Sequence, residues 1–212
     1  GWAVKDYFAD WYLGGAEALA ALVHNHQSKG PTTILIPAFF CGQSLRFLRQ
    51  AKVIFVFYPL TDILQPDYSW IESLLEEQQV SFLIHVHYFG QVATQNDSRR
   101  LCDKHGIQLI EDCAHLIHPD VHSHWMGDYL IFSPHKYFPV SQGGMLYAKK
   151  KYECKKTVSA VLFPWLWYLK QFVKSCLPLL RSKRMQQGLV WSAQSEVPIM
   201  LSPSIVEKEL LE

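Results

Sequence analysis

The sequence predicts an α/β fold of three layers, helices on both faces of a mostly parallel sheet. Two observations predict it. Short β-branched and aromatic runs stand at residues 33–36, 53–58, 81–86, 107–110, 129–132 and 144–148, and segments with helical spacing at 16–26, 44–50, 68–78 and 96–105 are interleaved with them. The runs are continuously apolar rather than alternating, which is the mark of strands buried on both faces. Strand runs that alternate with helices build βαβ units, and in such sheets ligands collect beyond the carboxyl ends of the strands. The residues that follow each apolar run are therefore the first place to look for chemistry.

The helix at 96–105 carries the clearest punctuation. Asn96 and Asp97 are suited to cap its start, while Lys104, His105 and then Gly106 mark its end. From residue 151 the texture changes to a solvated charge run, an aromatic helix at 157–177, Pro178 and a basic RSKR. The expected organisation is one domain over 1–150, with 151–212 a helical connector leading into a C-terminal region that is largely absent. Residue 1 is Gly, and the final VEKELLE reads as the opening of an amphipathic helix, so a piece trimmed at both ends is expected. The most apolar stretch, 158–169, is too short for the ~20 residues of a membrane span.

Composition narrows the function. Of the 212 residues 49% are hydrophobic and 18% charged, ample for a core. Twenty Lys and Arg against nineteen Asp and Glu leave a net charge of +1, which argues against a grip on nucleic acid through phosphates. The five cysteines, at 41, 102, 113, 154 and 176, are scattered and form no CxxC pair. A disulfide scaffold or cysteine zinc site is not expected, and a reducing, cytoplasmic setting is.

The chemistry gathers after the run at 107–110, where Glu111, Asp112, Cys113, Ala114 and His115 follow in order. Twenty-four positions beyond Asp112 lies Lys136, inside FSPHKYFPVSQGG. A strand-terminal Asp is most often a turn or cap residue, and a lone Lys is usually solvated. Here Asp112 lies between an apolar strand and small residues, and Lys136 is flanked by Ser133, His135, Tyr137 and Phe138, neither of which is a surface context. An acid that closes one strand and a lysine at a later strand exit meet at one rim of the sheet.

The series ILIPAFFCG, VFYPL, IHVHYFGQ, HGIQLIEDCAHLI and GDYLIFSPHKYFPVSQGGML resembles the DegT/DnrJ/EryC1/StrS family of pyridoxal-phosphate sugar aminotransferases over residues 14 to about 148. The resemblance implies the large domain of the fold type I, aspartate-aminotransferase-like architecture. It implies that Lys136 holds pyridoxal phosphate as a Schiff base and shuttles the proton, a task for a neutral, buried amine. Asp112 matches the carboxylate that faces the pyridine nitrogen, and His115 the donor to the phenolic oxygen. The phosphate falls to the backbone of Gly15 and Ala16 and to Ser133, and His135 joins the cofactor-binding set. Many members carry Thr, Ser or Arg where Ala16 stands, so one side-chain donor is missing. Phe40, or Phe39 beside it, is expected to cover the ring. His87 either approaches the ring or substrate or satisfies a loop carbonyl. The implied reaction moves an amino group from an amino acid, glutamate, to a nucleotide-linked keto-sugar, in a homodimer.

Two other readings compete. A relative that kept the fold and lost the activity is favoured by Ala16 and opposed by the retention of Asp112 with Lys136. A zinc hydrolase is suggested by His115, His118, His122 and His124 within ten residues, three of them as ligands with Glu111 or Asp112 as base, but their spacing fits no HExxH helix. No metal is expected. EDCAH echoes a helicase acid motif, yet no GxxxxGK[ST] loop accompanies it.

Overall fold

The computed structural model describes residues 2–151 apart from 28–29, 50–51, 123 and 139–142, together with residue 172. In chain order the elements are β1 (Phe8–Tyr12), α1 (Gly15–Gln27), β2 (Thr32–Pro37), β3 (Val53–Tyr58), α2 (Tyr68–Glu77), β4 (Phe82–Val86), α3 (Asn96–His105), β5 (Gln108–Asp112), β6 (Tyr129–Phe132) and β7 (Gly144–Ala148). The strands form one sheet in the order β1-β7-β6-β5-β4-β2-β3. Strands β2 to β6 run parallel to one another, whereas β7 is antiparallel to both β6 and β1. The sheet lies in a compact unit, Gly1–Thr157, and Val158–Glu212 forms a second unit. The aromatic helix expected at 157–177 lies outside the described residues apart from position 172.

Strand parity divides the core. Successive side chains leave a strand by opposite faces, so Phe82, Ile84 and Val86 of β4 and Ile110 of β5 pack beneath Leu19, Leu22 and Val23 of α1. Leu83 and Leu109 face the other way, onto Ile71 and Leu75 of α2 and Leu101 of α3. Each such side chain contributes roughly 1.5–3 kcal/mol by leaving water. This is the three-layer arrangement that the interleaved pattern predicts.

Three local features differ from expectation. Strand β1 is absent from the sequence reading because FADWY has no continuous apolar run. It is an edge strand, with Phe8 and Trp11 exposed, and it is held through pairing with β7. Of the helix expected at 44–50, the described residues 44–49 are no α-helix but continue from a single 3₁₀ turn, Gly42–Leu45. At α3 the N-cap position belongs to Gln95, which makes no side-chain cap bond. Its amide donates instead to the His124 carbonyl at 3.2 Å, and Asp97 pairs with Arg100 at 3.1 Å. The other end follows expectation, with Gly106 at φ 68° in the left-handed region that closes a helix.

Candidate active site

Four parallel strands end at one rim, and the loops that leave them enclose a cavity of about 190 Å³. From the end of β2 come Phe39, Phe40, Cys41 and Ser44; from β4 come Val86, Tyr88 and Phe89. From β5 come Asp112, Ala114 and His115, and from the turn after β6, Lys136. The cavity thus opens where a parallel α/β sheet ordinarily receives its ligand.

Asp112 stands on the α1 face of β5, in phase with Ile110. One carboxylate oxygen accepts the Ala114 N–H at 2.9 Å, which is the turn role that a strand-terminal Asp commonly plays. Burial pushes its pKa above the ordinary value, against the opposing pull of that hydrogen bond and of the Lys136 charge. Lys136 closes the 3₁₀ turn Pro134–Lys136 and is exposed at the cavity edge, where the apolar flanks had predicted burial. The turn projects it outward because Pro134 takes the buried position instead.

His115 is half-buried, with its ring stacked on Phe89 at 5.8 Å and an interplanar angle of 14°. The Phe89 N–H donates to its Nδ1 at 3.5 Å, which assigns the ring proton to Nε2. Burial, followed by the nearby Lys136 charge, depresses its pKa, so the neutral ring is favoured. Phe89 adopts φ 53° inside the turn Tyr88–Gly90, a strained backbone for a bulky residue. The neighbouring Tyr88 hydroxyl donates to the Phe39 carbonyl at 2.6 Å and so ties the loop after β4 to the loop after β2.

A second group adjoins the start of α1. Ser133, 3% exposed, places its hydroxyl oxygen 2.5 Å from where a Cβ on Gly15 would stand. A Cβ on Gly144 would collide with the Gly14 backbone, and the Gly143 N–H donates to the Leu13 carbonyl at 2.8 Å. The two glycine pairs therefore bring the entry of β7 against the helix start. His135 bonds the Gly143 carbonyl through Nδ1 at 2.6 Å, so it holds this junction rather than lining the cavity. Ala16 carries no side-chain donor. Glu17 lies in the first turn of α1 and is bridged to Arg46 at 2.8 Å.

Of the residues expected at the site, Phe40, Asp112, His115 and Lys136 line the cavity, as does the alternative Phe39. Gly15 and Ser133 adjoin each other at the helix start. His87 does not join them. It is one residue past Val86, so strand parity sends its ring through the opposite face, where it meets Glu111 at 2.7 Å with both side chains fully buried. The histidines of the competing zinc reading also diverge: His118 accepts the Asp120 N–H, and His122 engages Gln95 and the His124 carbonyl. Among the described residues no three side chains are arranged to hold a metal ion.

The sequence reading missed Tyr88, Phe89, Cys41 and Ser44. All four lie in the loops that leave β2 and β4, so the signal was position after a strand, which residue type alone does not reveal. Glu111 entered the sequence reading only as a candidate base of the zinc hydrolase, because its buried partner His87 does not show in the sequence.

Comparison with known proteins agrees with this architecture. A model of the DegT/DnrJ/EryC1/StrS aminotransferase family matches residues 14–161. The GDP-perosamine synthase of Vibrio cholerae is 27% identical over 119 residues, covering 53% of this chain and 32% of that protein. Among solved structures, PseC of Helicobacter pylori, an aminotransferase involved in the biosynthesis of pseudoaminic acid, superposes with a TM-score of 0.60 at 19% identity, over 70% of this chain and 41% of its own. NtdA of Bacillus subtilis, solved with bound cofactor PMP, gives 0.57 at 17% identity, over 68% and 34%. The chain thus spans about a third of the length of the curated relative it matches. With a family model matched over more than half of its residues, the chain belongs to the DegT/DnrJ/EryC1/StrS aminotransferase family, whose enzymes use pyridoxal phosphate.

Proposed function

We propose that this chain is the cofactor-binding domain of an aminotransferase that moves an amino group from an amino acid, glutamate, to a nucleotide-linked keto-sugar, with pyridoxal phosphate bound in the cavity beyond β2, β4, β5 and β6. The observation that carries the reading is that Asp112 and Lys136, far apart in sequence, line one aromatic-walled cavity. The residues fit the group. An under-coordinated carboxylate suits a cationic ring nitrogen, and Lys136 offers an accessible amine. The bare start of α1 beside the Ser133 hydroxyl suits a phosphate.

When bound, the cofactor supplies an electron-withdrawing pyridinium ring. Asp112 holds the proton on the ring nitrogen by charge pairing. His115 donates from Nε2 to the phenolic oxygen. The Lys136 Nζ anchors the cofactor and moves the proton at the amino donor's Cα. Phe40 and Phe39 exclude water from the ring face. Gly15 and Ala16 offer backbone N–H groups to the phosphate, with Ser133 in place of the side chain that Ala16 lacks.

A sugar acceptor is supported by the perosamine synthase relative. A homodimer is supported by exposed apolar side chains at the cavity, with Phe39 50% and Phe89 69% exposed. The test is to titrate the chain with pyridoxal phosphate and then supply glutamate, following the visible absorbance band and the formation of 2-oxoglutarate. A band that appears in wild type and is lost in Lys136→Ala supports the cofactor site, and 2-oxoglutarate formation supports the donor. A band without product from any amino donor favours the inactive relative, the reading that Ala16 favours. No band in wild type contradicts the assignment.

A further inference from the structure

We propose that Glu111 is a positioning residue for this site: its buried anion, on the face of the sheet away from the cavity, fixes the strand ends that present Asp112 and the Tyr88–Phe89 wall. The proposal rests on the function set out above. Glu111 and His87 are both completely buried and lie 2.7 Å apart. His87 accepts the Ala93 N–H on Nδ1 at 3.0 Å, so its proton resides on Nε2 and is donated to one oxygen of Glu111. The other oxygen accepts the Met126 N–H at 2.7 Å and the Gly127 N–H as well. From the far side, the Tyr7 hydroxyl donates to the Gly127 carbonyl at 2.6 Å. Glycine is required at 127, since a Cβ there would stand 2.7 Å from the Tyr129 carbonyl oxygen and 3.0 Å from Cγ of Glu111.

One carboxylate thus gathers donors from the end of β4 and from the turn that enters β6, the two strands that flank its own. Burial alone would raise its pKa, but the bonds from His87, Gly127 and Met126 hold it below the ordinary carboxylate value. A well-packed apolar group would give comparable stability, so an anion here points to a geometric task. The connection to the cavity is short. Asp112 is the next residue, and its carbonyl accepts the His87 N–H at 3.0 Å. Val86 and Tyr88, on either side of His87, both line the cavity. Rotation of the Glu111 peptide therefore turns Asp112, and displacement of His87 moves the aromatic wall.

Glu111→Gln tests the proposal, because an amide group meets three donors and must turn its own N–H toward one of them. Two measurements are made on the full chain well below its melting temperature: pyridoxal phosphate affinity with the position of its visible band, and amide hydrogen exchange without cofactor. The variant is expected to weaken cofactor binding by about tenfold and shift the band, the loss of a charged hydrogen bond being of that order. Exchange protection is expected to fall at residues 86–90 and 112–115. A variant that melts earlier yet keeps affinity, band and protection overturns the proposal. If Glu111→Gln does not fold, His87→Phe is read the same way, because it removes one donor and leaves the Met126 and Gly127 bonds. Should wild type take up no cofactor, the function falls separately, and the exchange measurement still decides whether Glu111 holds the strand ends.

Discussion

Glu111 and Asp112 are consecutive on β5, and their carboxylates leave the sheet by opposite faces with opposite pKa shifts. Glu111 accepts one side-chain and two backbone donors and is held low. Asp112 accepts the Ala114 N–H, and burial dominates, so it is held high. The difference lies in the number of donors that each face supplies. An acid whose burial the protein leaves incompletely compensated is the one equipped to receive a cation from a ligand.

Asp112→Asn follows from that imbalance. A folded-state pKa above the unfolded value means that the charge costs stability, and this cost sets in as pH rises through the window from the ordinary Asp value to the raised one. Asn keeps the acceptor for Ala114. The cofactor-free variant is expected to melt above wild type at pH 7, with the advantage gone below about pH 4. Its affinity for pyridoxal phosphate is expected to drop by about ten- to a hundredfold, the equivalent of one charged hydrogen bond. Paired thermal melts and absorbance titrations check both signs.

His85 predicts an acid transition unrelated to the cofactor. Burial, with the neighbouring His87 ring second, lowers its pKa from 6.5 to about 4. Within that interval the unfolded chain binds more protons than the folded one, so stability is lost as pH falls, by about 3 kcal/mol from this residue once pH 4 is reached. His85→Leu is expected to flatten that part of the stability profile measured by urea unfolding. Ser98, which His85 now engages at 2.8 Å, retains its bond with the Tyr68 hydroxyl at 3.2 Å, so no new buried group is stranded.

Two glycine substitutions separate collision from backbone strain. Gly144→Ala drives a methyl into the Gly14 backbone, and overpacking of this kind costs about 1–3 kcal/mol. Gly106→Ala meets nothing within 4 Å and bears only the left-handed backbone cost at φ 68°, about 1–2 kcal/mol. Both variants are expected to lower Tm, but only Gly144→Ala is expected to weaken binding of the phosphate end, because it displaces the start of α1. Equal cofactor affinity in the two variants would contradict that placement.

Much of this was legible in the residues. Continuous apolar runs mark strands covered on both faces, so β2 to β7 were visible, whereas β1 was not, because an exposed edge strand carries no such run. Asp112 and His115 were legible as cavity-lining residues because one ends β5 and the other lies three residues beyond it. His87 was misplaced by a single step of strand parity, which cannot be fixed until the pairing register of β4 is known. Lys136 lines the expected cavity, yet its exposure was not foreseen, since the apolar character of its neighbours belongs to the buried Pro134 side of the turn. Glu111 carried no signal for a positioning role, as the donors that define it come from residues 15 and 16 positions away and from a loop histidine.

The central claim is that the amine of residue 136 holds the cofactor beside the carboxylate of residue 112. Borohydride reduction of the chain with pyridoxal phosphate, followed by peptide mapping by mass spectrometry, tests it most directly. One phosphopyridoxyl group on the peptide containing Lys136, present in wild type and absent in Lys136→Ala, is the result predicted. Label spread over surface lysines, or an equal yield after the substitution, would contradict it.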